Sequence, residues 1–485
     1  MRVLLVVANK GAHMPAARIR ALALPMILAA AVGFTAPHAV GDPTHGAALR
    51  ATIALSASTG PPTSVIEVRG SGFGAREQVS IRFDATLRAR ARTRANGRFG
   101  PVKITIPAAA PPGGHVISAT GQRTKRKAKA AFTVRTTWPQ FRFASDHSGD
   151  NPFENVLKPS NVGKLRKKWA FRTGQLVGSS PAAADGLIFV GSGDHNLYAV
   201  KAATGKKKWS FTTPNSIEAS PAVANGLVYT GEGSDGPSFF AVSEATGKQR
   251  WSFPTSGEVI GSPALAGKAV YFNSTDGHLY AVNAITGKQL WKRNPMGLNE
   301  SSPAVANGVV YTGTANGVIV AYRASTGARL WRFPTGTMPA FSSATVVNGL
   351  LYEGSGDNVY ALDAKTGKLR WTFPTGSFVD SSPAVAGGVV YVGSFDDNLY
   401  AINATTGKKR WSFPTAGVVD SSPTVANGVV YFGSHDGSVY GVSAATGKKL
   451  WSFATGAGIL SSPSVSDGVV YVGSFDDNLY AFALP

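Results

Sequence analysis

Across the last two thirds of the chain the apolar residues fall in short runs without helical rhythm, and the runs recur in one fixed order. The pattern is plainest at 381–413, SSPAVAGGVVYVGSFDDNLYAINATTGKKRWSF. Four apolar pieces stand out there: S-S-P-A-V-A, V-V-Y-V-G-S, N-L-Y-A-I-N-A and K-K-R-W-S-F. Each is five to eight residues long. Their β-branched and aromatic content predicts strands rather than helices. Turn pairs separate them, among them Asn427-Gly428, Asp436-Gly437 and Thr446-Gly447. Asn-Gly and Asp-Gly favour the positive-φ hairpin turns that keep right-twisted strands in register.

Tryptophan anchors the unit. Trp169, Trp209, Trp251, Trp291, Trp331, Trp371, Trp411 and Trp451 follow at steps of 40, 42, 40, 40, 40, 40 and 40 residues. An aromatic also holds one register of the second strand in every copy, from Phe189 and Tyr229 to Tyr431 and Tyr471. Four antiparallel strands in about 40 residues make one blade of a β-propeller. The copies start and stop out of phase. The Trp strand at 165–171 has no blade in front of it, and the copy at 461–485 lacks its Trp strand. The two fragments complete each other, which predicts eight blades, a ring closed by the N-terminal strand, and no open sheet edge at the seam. The expected fold class is all-β: an eight-bladed propeller over 139–485, preceded by a smaller β-sandwich.

The spacing A-x-x-x-x-T-G-x-x-x-W occurs at 199–209, 241–251, 281–291, 321–331, 361–371 and 401–411, and at 441–451 with Gly441 in place of the alanine. This resembles the tryptophan-docking motif of the pyrroloquinoline-quinone (PQQ) repeat family. The segment 155–165, NVLKPSNVGKL, resembles that family's blade-closing lead-in. The family contains quinoprotein alcohol dehydrogenases and the propeller lipoprotein of the outer-membrane β-barrel assembly machinery. The resemblance implies that Thr-Gly makes a turn and that the eight tryptophans dock between blades. Burying about 150–250 Å² of each ring contributes up to roughly 4–6 kcal/mol before entropy costs. It also implies PQQ with calcium as the cofactor, if any is used. The dehydrogenases carry long inserts with a calcium-binding Glu/Asn/Asp set, a catalytic Asp and often a vicinal Cys pair. Here the repeat departs from 40 residues by two at most and the chain has no cysteine. No catalytic or metal-ligating residue is therefore assigned, and no cofactor is expected. The lack of cysteine also excludes disulfides and lipoprotein acylation.

Ahead of the propeller, residues 50–135 have a different composition. Apolar runs at 51–57, 65–69, 78–83, 86–94, 102–106, 115–120 and 130–134 alternate with Gly and Pro clusters, a small β-sandwich pattern. The opening V-R-G-S-G-F at 68–73 resembles the IPT/TIG class of Ig-like domains. This stretch holds 16 Lys and Arg against three acids, a balance of +13 within a whole-chain charge of +21. Arg88, Arg90, Arg92 and Arg94 alternate with small residues, which on a strand puts all four on one face about 7 Å apart. Lys125, Arg126, Lys127 and Lys129 form a second cluster. Two readings stand: a surface for anionic cell-surface polymer or lipid, or an edge strand kept unpaired by charge. Sequence-specific nucleic-acid binding is not expected, because the stretch offers few aromatics for stacking.

At the N-terminus, Arg18 and Arg20 precede an apolar run of 15 residues at 21–35, followed by Ala36-Pro37-His38-Ala39. Basic, then apolar, then small is the order of a secretory signal, with Met14 as an alternative start. The run is short for a membrane span of about 20 residues. An extracytoplasmic protein is expected, with 1–40 either cleaved or kept as an anchor.

In a propeller, the loop into the first strand shares a face with the hairpin between strands two and three. Three residues before the S-x-P proline stand Glu218, Glu300, Asp380 and Asp420, carboxylates in four of eight copies. Asp194, Asp276, Asp396 and Asp476 belong to hairpins of that face, whereas the Thr-Gly-Lys turns lie opposite. The four carboxylates are candidates for a ligand funnel taking a cation or a sugar; the other reading is solvated loops, and the hairpin aspartates are turn formers first. The expected function is a secreted or cell-surface binding scaffold, monomeric, with protein or polysaccharide ligands at the propeller face. A quinoprotein-like oxidoreductase and a polysaccharide hydrolase or lyase are the alternatives.

Overall fold

The computed structural model describes residues 50–485 except 234–237, 296, 298, 299 and 337–341. The targeting segment expected at 1–40 lies outside the described residues.

The first unit is a two-sheet sandwich. Strands β1 (Thr52–Leu55), β3 (Val65–Ser71) and β6 (Phe99–Thr105) pair in the order β1-β3-β6. The second sheet contains β2 (Thr59–Gly60), β4 (Gln78–Phe83), β5 (Thr86–Arg92), β7 (Gly113–Gly121) and β8 (Lys127–Val134), in the order β2-β8-β7-β4-β5. Period-two alternation sends Ile66, Val68 and Ile104 from one sheet, and Val79, Ile81, Ile117 and Phe132 from the other, into a single core. Glu77 is buried beneath it, and its carboxylate receives the N–H groups of Gly74, Arg123 and Thr124 and the Thr124 hydroxyl. Burial alone would raise its pKa; these donors outweigh it and hold the group down to about 2.

Residues 165–485 form eight blades of four antiparallel strands, and the short strand Asp150–Asn151 adds a parallel fifth to the inner edge of the seventh. The first runs Ala182–Ala184, Leu187–Gly191, Asn196–Lys201 and Lys207–Thr212, from the channel outward. The last contains Ser464–Ser466, Val469–Gly473 and Asn478–Ala483, and its outer strand is Arg166–Arg172. The N-terminal strand thus completes the C-terminal blade, as the phase of the repeat requires. In the outer strand of every blade one extra residue stands immediately before the tryptophan, for example Lys208 before Trp209 and Arg410 before Trp411. Such bulges re-aim the next side chain. They also explain two exposed apolar residues, Leu290 and Leu330, which are the extra residues in their blades.

Each indole then reaches the next blade. Trp371 Nε1 donates to Ala404 O at 2.9 Å, and Tyr352 Oη donates to the same carbonyl at 3.2 Å. The indole bond repeats from Trp169 to Trp411 at 2.9–3.2 Å. Gly407 lies against the Trp371 ring with φ +70, and a Cβ there would come within 2.8 Å of it. The seam differs, because the last blade ends without a Thr-Gly turn. Trp451 packs on Phe482 with ring centres 5.0 Å apart, and among the described residues the buried Tyr431 hydroxyl has no partner. Leu157, Val162 and Leu165 of the lead-in cover that gap.

Around the channel the S-S-P segments close a hydrogen-bonded ring. Ser180 N donates to Ser220 Oγ at 2.9 Å, Ser220 N to Ser262 Oγ at 3.1 Å, and so on to Ser422 N and Ser462 Oγ at 3.0 Å. Ser462 N returns to Ser180 Oγ at 3.0 Å. On the channel side, residues 138–151 pass every inner strand in turn. Trp138 exchanges two backbone bonds with Ala183. Val223 N then finds Pro139 O, and Leu265 N finds the Gln140 amide oxygen. Val305, Val346, Val385 and Val425 donate to Ser145, Asp146, Ser148 and Gly149 carbonyls at 2.6–2.8 Å. Asn151 Nδ2 donates to Val465 O at 2.8 Å. Arg142, fully buried, gives its two terminal nitrogens to the carbonyls of Pro383 and Pro423.

Replacing Trp371 by alanine is expected to cost about 3–5 kcal/mol of stability in urea denaturation. Gly407→Ala should cost about 2 kcal/mol or more, because it adds positive-φ strain to a clash with the same ring. A neutral Gly407→Ala would contradict the docking described.

Candidate functional site

Of the carboxylates expected at the mouth, Glu218, Asp380 and Asp420 each stand between a buried Ile or Val and the serine ring, and Glu300 stands directly before that ring. Ile217, Val379 and Val419 are fully buried, and their N–H groups bond to Ser192, Gly356 and Ser394 carbonyls. Gly393 leaves the space that Val419 fills, since a Cβ there would lie 2.4 Å from a Val419 methyl. Glu218 is exposed, and Glu300, Asp380 and Asp420 are half-buried. They lead into the second, fourth, sixth and seventh blades, the last two adjacent. Asp420 Oδ2 lies 3.9 Å from His435 Nε2, and burial pushes that imidazole below its usual pKa. Among the described residues no three His, Asp or Glu side chains converge as a metal site.

The hairpin aspartates are occupied by their own turns. Asp396 Oδ2 accepts the Tyr400 hydroxyl at 2.7 Å and the Gly376 N–H at 2.6 Å, while Oδ1 accepts the Asn398 N–H. Asp194, Asp276 and Asp476 make the corresponding tyrosine bond at 2.7–2.8 Å.

The sandwich brings two members of each basic cluster onto one sheet face, with a change in the register expected from alternation. A bulge in β5 pairs Ile81 with Ala89 but Arg82 with Leu87, so Arg88 is the extra residue. Arg90 and Arg92 remain opposite Ser80 and Gln78 on the outward face. Arg94 lies beyond the end of β5 and, with Arg69 and Arg98, borders a cleft of about 460 Å³ beside β1 and β3. In the other cluster Lys125 sits in the β7–β8 turn at φ 58, and the Arg126 guanidinium donates to Gly72 O. Lys127 and Lys129 pair with Thr120 and Ser118 and share the outward face with Arg90 and Arg92.

Three buried polar groups in the propeller were not anticipated. Glu353 occupies a register that other blades fill with Val190, Thr230, Phe272 or Val392. It is fully buried with neither oxygen partnered among the described residues, and desolvation drives its pKa well above the carboxylate range. Glu232 takes a serine or threonine register; among the described residues only Oε2 is bonded, to Asn215 N at 3.3 Å, and burial pushes the group up to about 7. Asn273 replaces a glycine and bonds Ser301 O at 2.6 Å and Thr312 Oγ1 at 2.8 Å. Superposing the repeats in sequence exposes all three as departures.

A closed ring of eight four-stranded blades is a β-propeller. The PQQ-repeat family described as outer membrane protein assembly factor BamB matches residues 161–233, 217–345, 315–418 and 415–484, and the chain belongs to that family. Solved structures agree on the fold. The quinohemoprotein alcohol dehydrogenase from Comamonas testosteroni superposes with a TM-score of 0.64 at 16% identity, over 72% of this chain and 80% of that one. A europium-containing methanol dehydrogenase gives 0.63 at 17%, over 72% and 98%. BamB from Moraxella catarrhalis gives 0.58 at 19%, over 66% and 99%. At these identities the likeness concerns the fold. No curated protein matches the chain.

Glu353 yields a pH-dependent prediction. Its folded pKa lies above the unfolded value of 4.5, so stability is lost as pH rises past 4.5. Glu353→Val is therefore expected to stabilise the propeller by about 1–3 kcal/mol at neutral pH, with a smaller gain in acid. Thermal melts at both pH values check this; an equal gain would show that the carboxyl is not held neutral.

Proposed function

We propose that the chain is an extracytoplasmic, non-catalytic scaffold whose basic sandwich holds it to an anionic surface while the propeller presents a face to protein or polysaccharide ligands. The carrying observation is the distribution of mouth carboxylates around a ring whose centre the chain fills with its own residues 138–151. PQQ with calcium needs carboxylate and amide donors gathered at one point. Among the described residues no three His, Asp or Glu side chains converge, the hairpin aspartates are committed to tyrosines, and the chain has no cysteine pair. That donor set does not fit the group. Family membership supports the scaffold reading, since the matching family is described as an outer-membrane assembly factor. Among the described residues no helix is long and apolar enough to cross a membrane.

Calorimetric titration of the protein with PQQ and calcium, followed by a dye-linked oxidation assay on simple alcohols and sugars, tests the non-catalytic half. No binding heat and no dye reduction are expected. Stoichiometric binding with turnover would replace the scaffold by a dehydrogenase.

A further inference from the structure

The outward face of the five-stranded sheet has a layout that charge count alone does not convey. Its side chains fall in rows across the strands: Gln122, Gln78 and Arg92; then Lys127, Thr120, Ser80 and Arg90; then Lys129, Ser118, Arg82 and Leu87. The cations stand mainly on the two flanking strands, β8 and β5. Short hydroxyl and amide side chains occupy β7 and β4 between them. With strands about 4.8 Å apart, the flanks are roughly 14 Å apart, and cations along each flank repeat at about 7 Å. Ser80 is only 5% exposed although it faces outward, and its hydroxyl accepts Gln122 Nε2 at 2.6 Å. The face is therefore a trough with a polar floor and two basic walls.

No carboxylate of the sandwich opposes these walls. Of the sandwich's three acids, Glu67 lies on the other sheet and pairs with Arg69. Glu77 is buried and saturated with donors, and Asp84 bonds His115 and the Val116 N–H at one end of the sheet. Arg82 gives one nitrogen to Ala85 O. The aromatics Phe73, Phe83, Phe99 and Phe132 are all buried, so no ring is available on which a base could stack. Leu87 and Val116 at the far end are the large apolar residues exposed on this face, which is little for insertion into a bilayer. Hydroxyls and amides in a plane between rows of cations suit sugar hydroxyls flanked by sulfate, carboxylate or phosphate groups.

We propose that this trough binds a linear anionic glycan, lying along the strands between the Lys127–Lys129 and Arg90–Arg92 walls. The proposal rests on the anionic-surface reading given above and narrows it to one ligand chemistry and one face.

The test measures affinity of the full chain for a size-fractionated heparin oligosaccharide across a salt series. The same series is run for polyuridylate and for vesicles containing phosphatidylglycerol. Arg90→Ser with Arg92→Ser, and separately Lys127→Ser with Lys129→Ser, are each expected to lower heparin affinity about tenfold or more and to reduce the salt slope by roughly 1–2. Ser118→Val with Thr120→Val should weaken binding severalfold while leaving that slope unchanged, a signature that diffuse charge does not produce. Wild-type binding that none of these variants alters would overturn the trough and leave the anionic-surface reading in place. Tighter binding to vesicles or to polyuridylate than to heparin would overturn the glycan assignment. No binding to any of the three would remove the anionic-surface reading as well.

Discussion

Each innermost strand of the propeller turns one edge to the central channel, and the N–H groups on that edge have no partner within their own blade. Buried backbone donors without partners are costly, so a closed ring must supply acceptors from somewhere. Residues 138–151 supply them. Carbonyls from Trp138, Pro139, Ser145, Asp146, Ser148 and Gly149, with the Gln140 side chain, meet seven blades, and Asn151 reaches the eighth. One continuous segment thereby touches all eight blades, which ties the N-terminal part of the propeller to parts of the chain more than three hundred residues away. The ring of serine bonds and the docked tryptophans hold neighbours to neighbours; the inner segment holds the whole set.

That same arrangement separates the surfaces available for recognition. The channel is occupied from within, so the exposed chemistry lies at the rim of mouth carboxylates and on the sandwich. Arg142 sits in the middle with carbonyl acceptors and no opposing acid, and burial pulls its pKa down to about 9. His147 beside it is also fully buried, and desolvation with the Arg142 charge lowers it to about 3, which keeps it neutral. A neutral imidazole next to a lone guanidinium avoids a second buried charge. The polar groups that depart from the repeat, Glu232, Asn273 and Glu353, all lie in the second, third and fifth blades. The sixth to eighth blades follow the repeat closely: GSFDDNLYA occurs at both 393–401 and 473–481.

The repeat was legible because it is periodic and its chemistry is local. Turn pairs, alternation and the Trp spacing each depend on residues close in sequence, and the out-of-phase ends at 165–171 and 461–485 could be matched by counting. The mouth carboxylates were legible as a register, but not their separation round the ring. The β5 bulge at Arg88 was hidden, because alternation assumes an unbroken ladder and nothing in T-L-R-A-R-A-R marks the slip. Glu353 and Glu232 would have been found by comparing blades position by position, since each stands where its counterparts are apolar or small.

By itself, the sequence determined the strands, their turns, the number of blades and the way the ring closes, because these follow from short-range pattern and period. It also determined that most of the positive charge belongs to the sandwich. Only the tertiary structure decided that 138–151 lines the channel, since W-P-Q-F-R-F-A-S-D-H-S-G-D-N carries no repeat and its partners lie 45 to 314 residues away. Only sheet order decided that Lys127 and Lys129 share a face with Arg90 and Arg92. Strands distant in the chain become neighbours through backbone pairing, and that pairing, rather than the spacing of charges along the sequence, places the cations together.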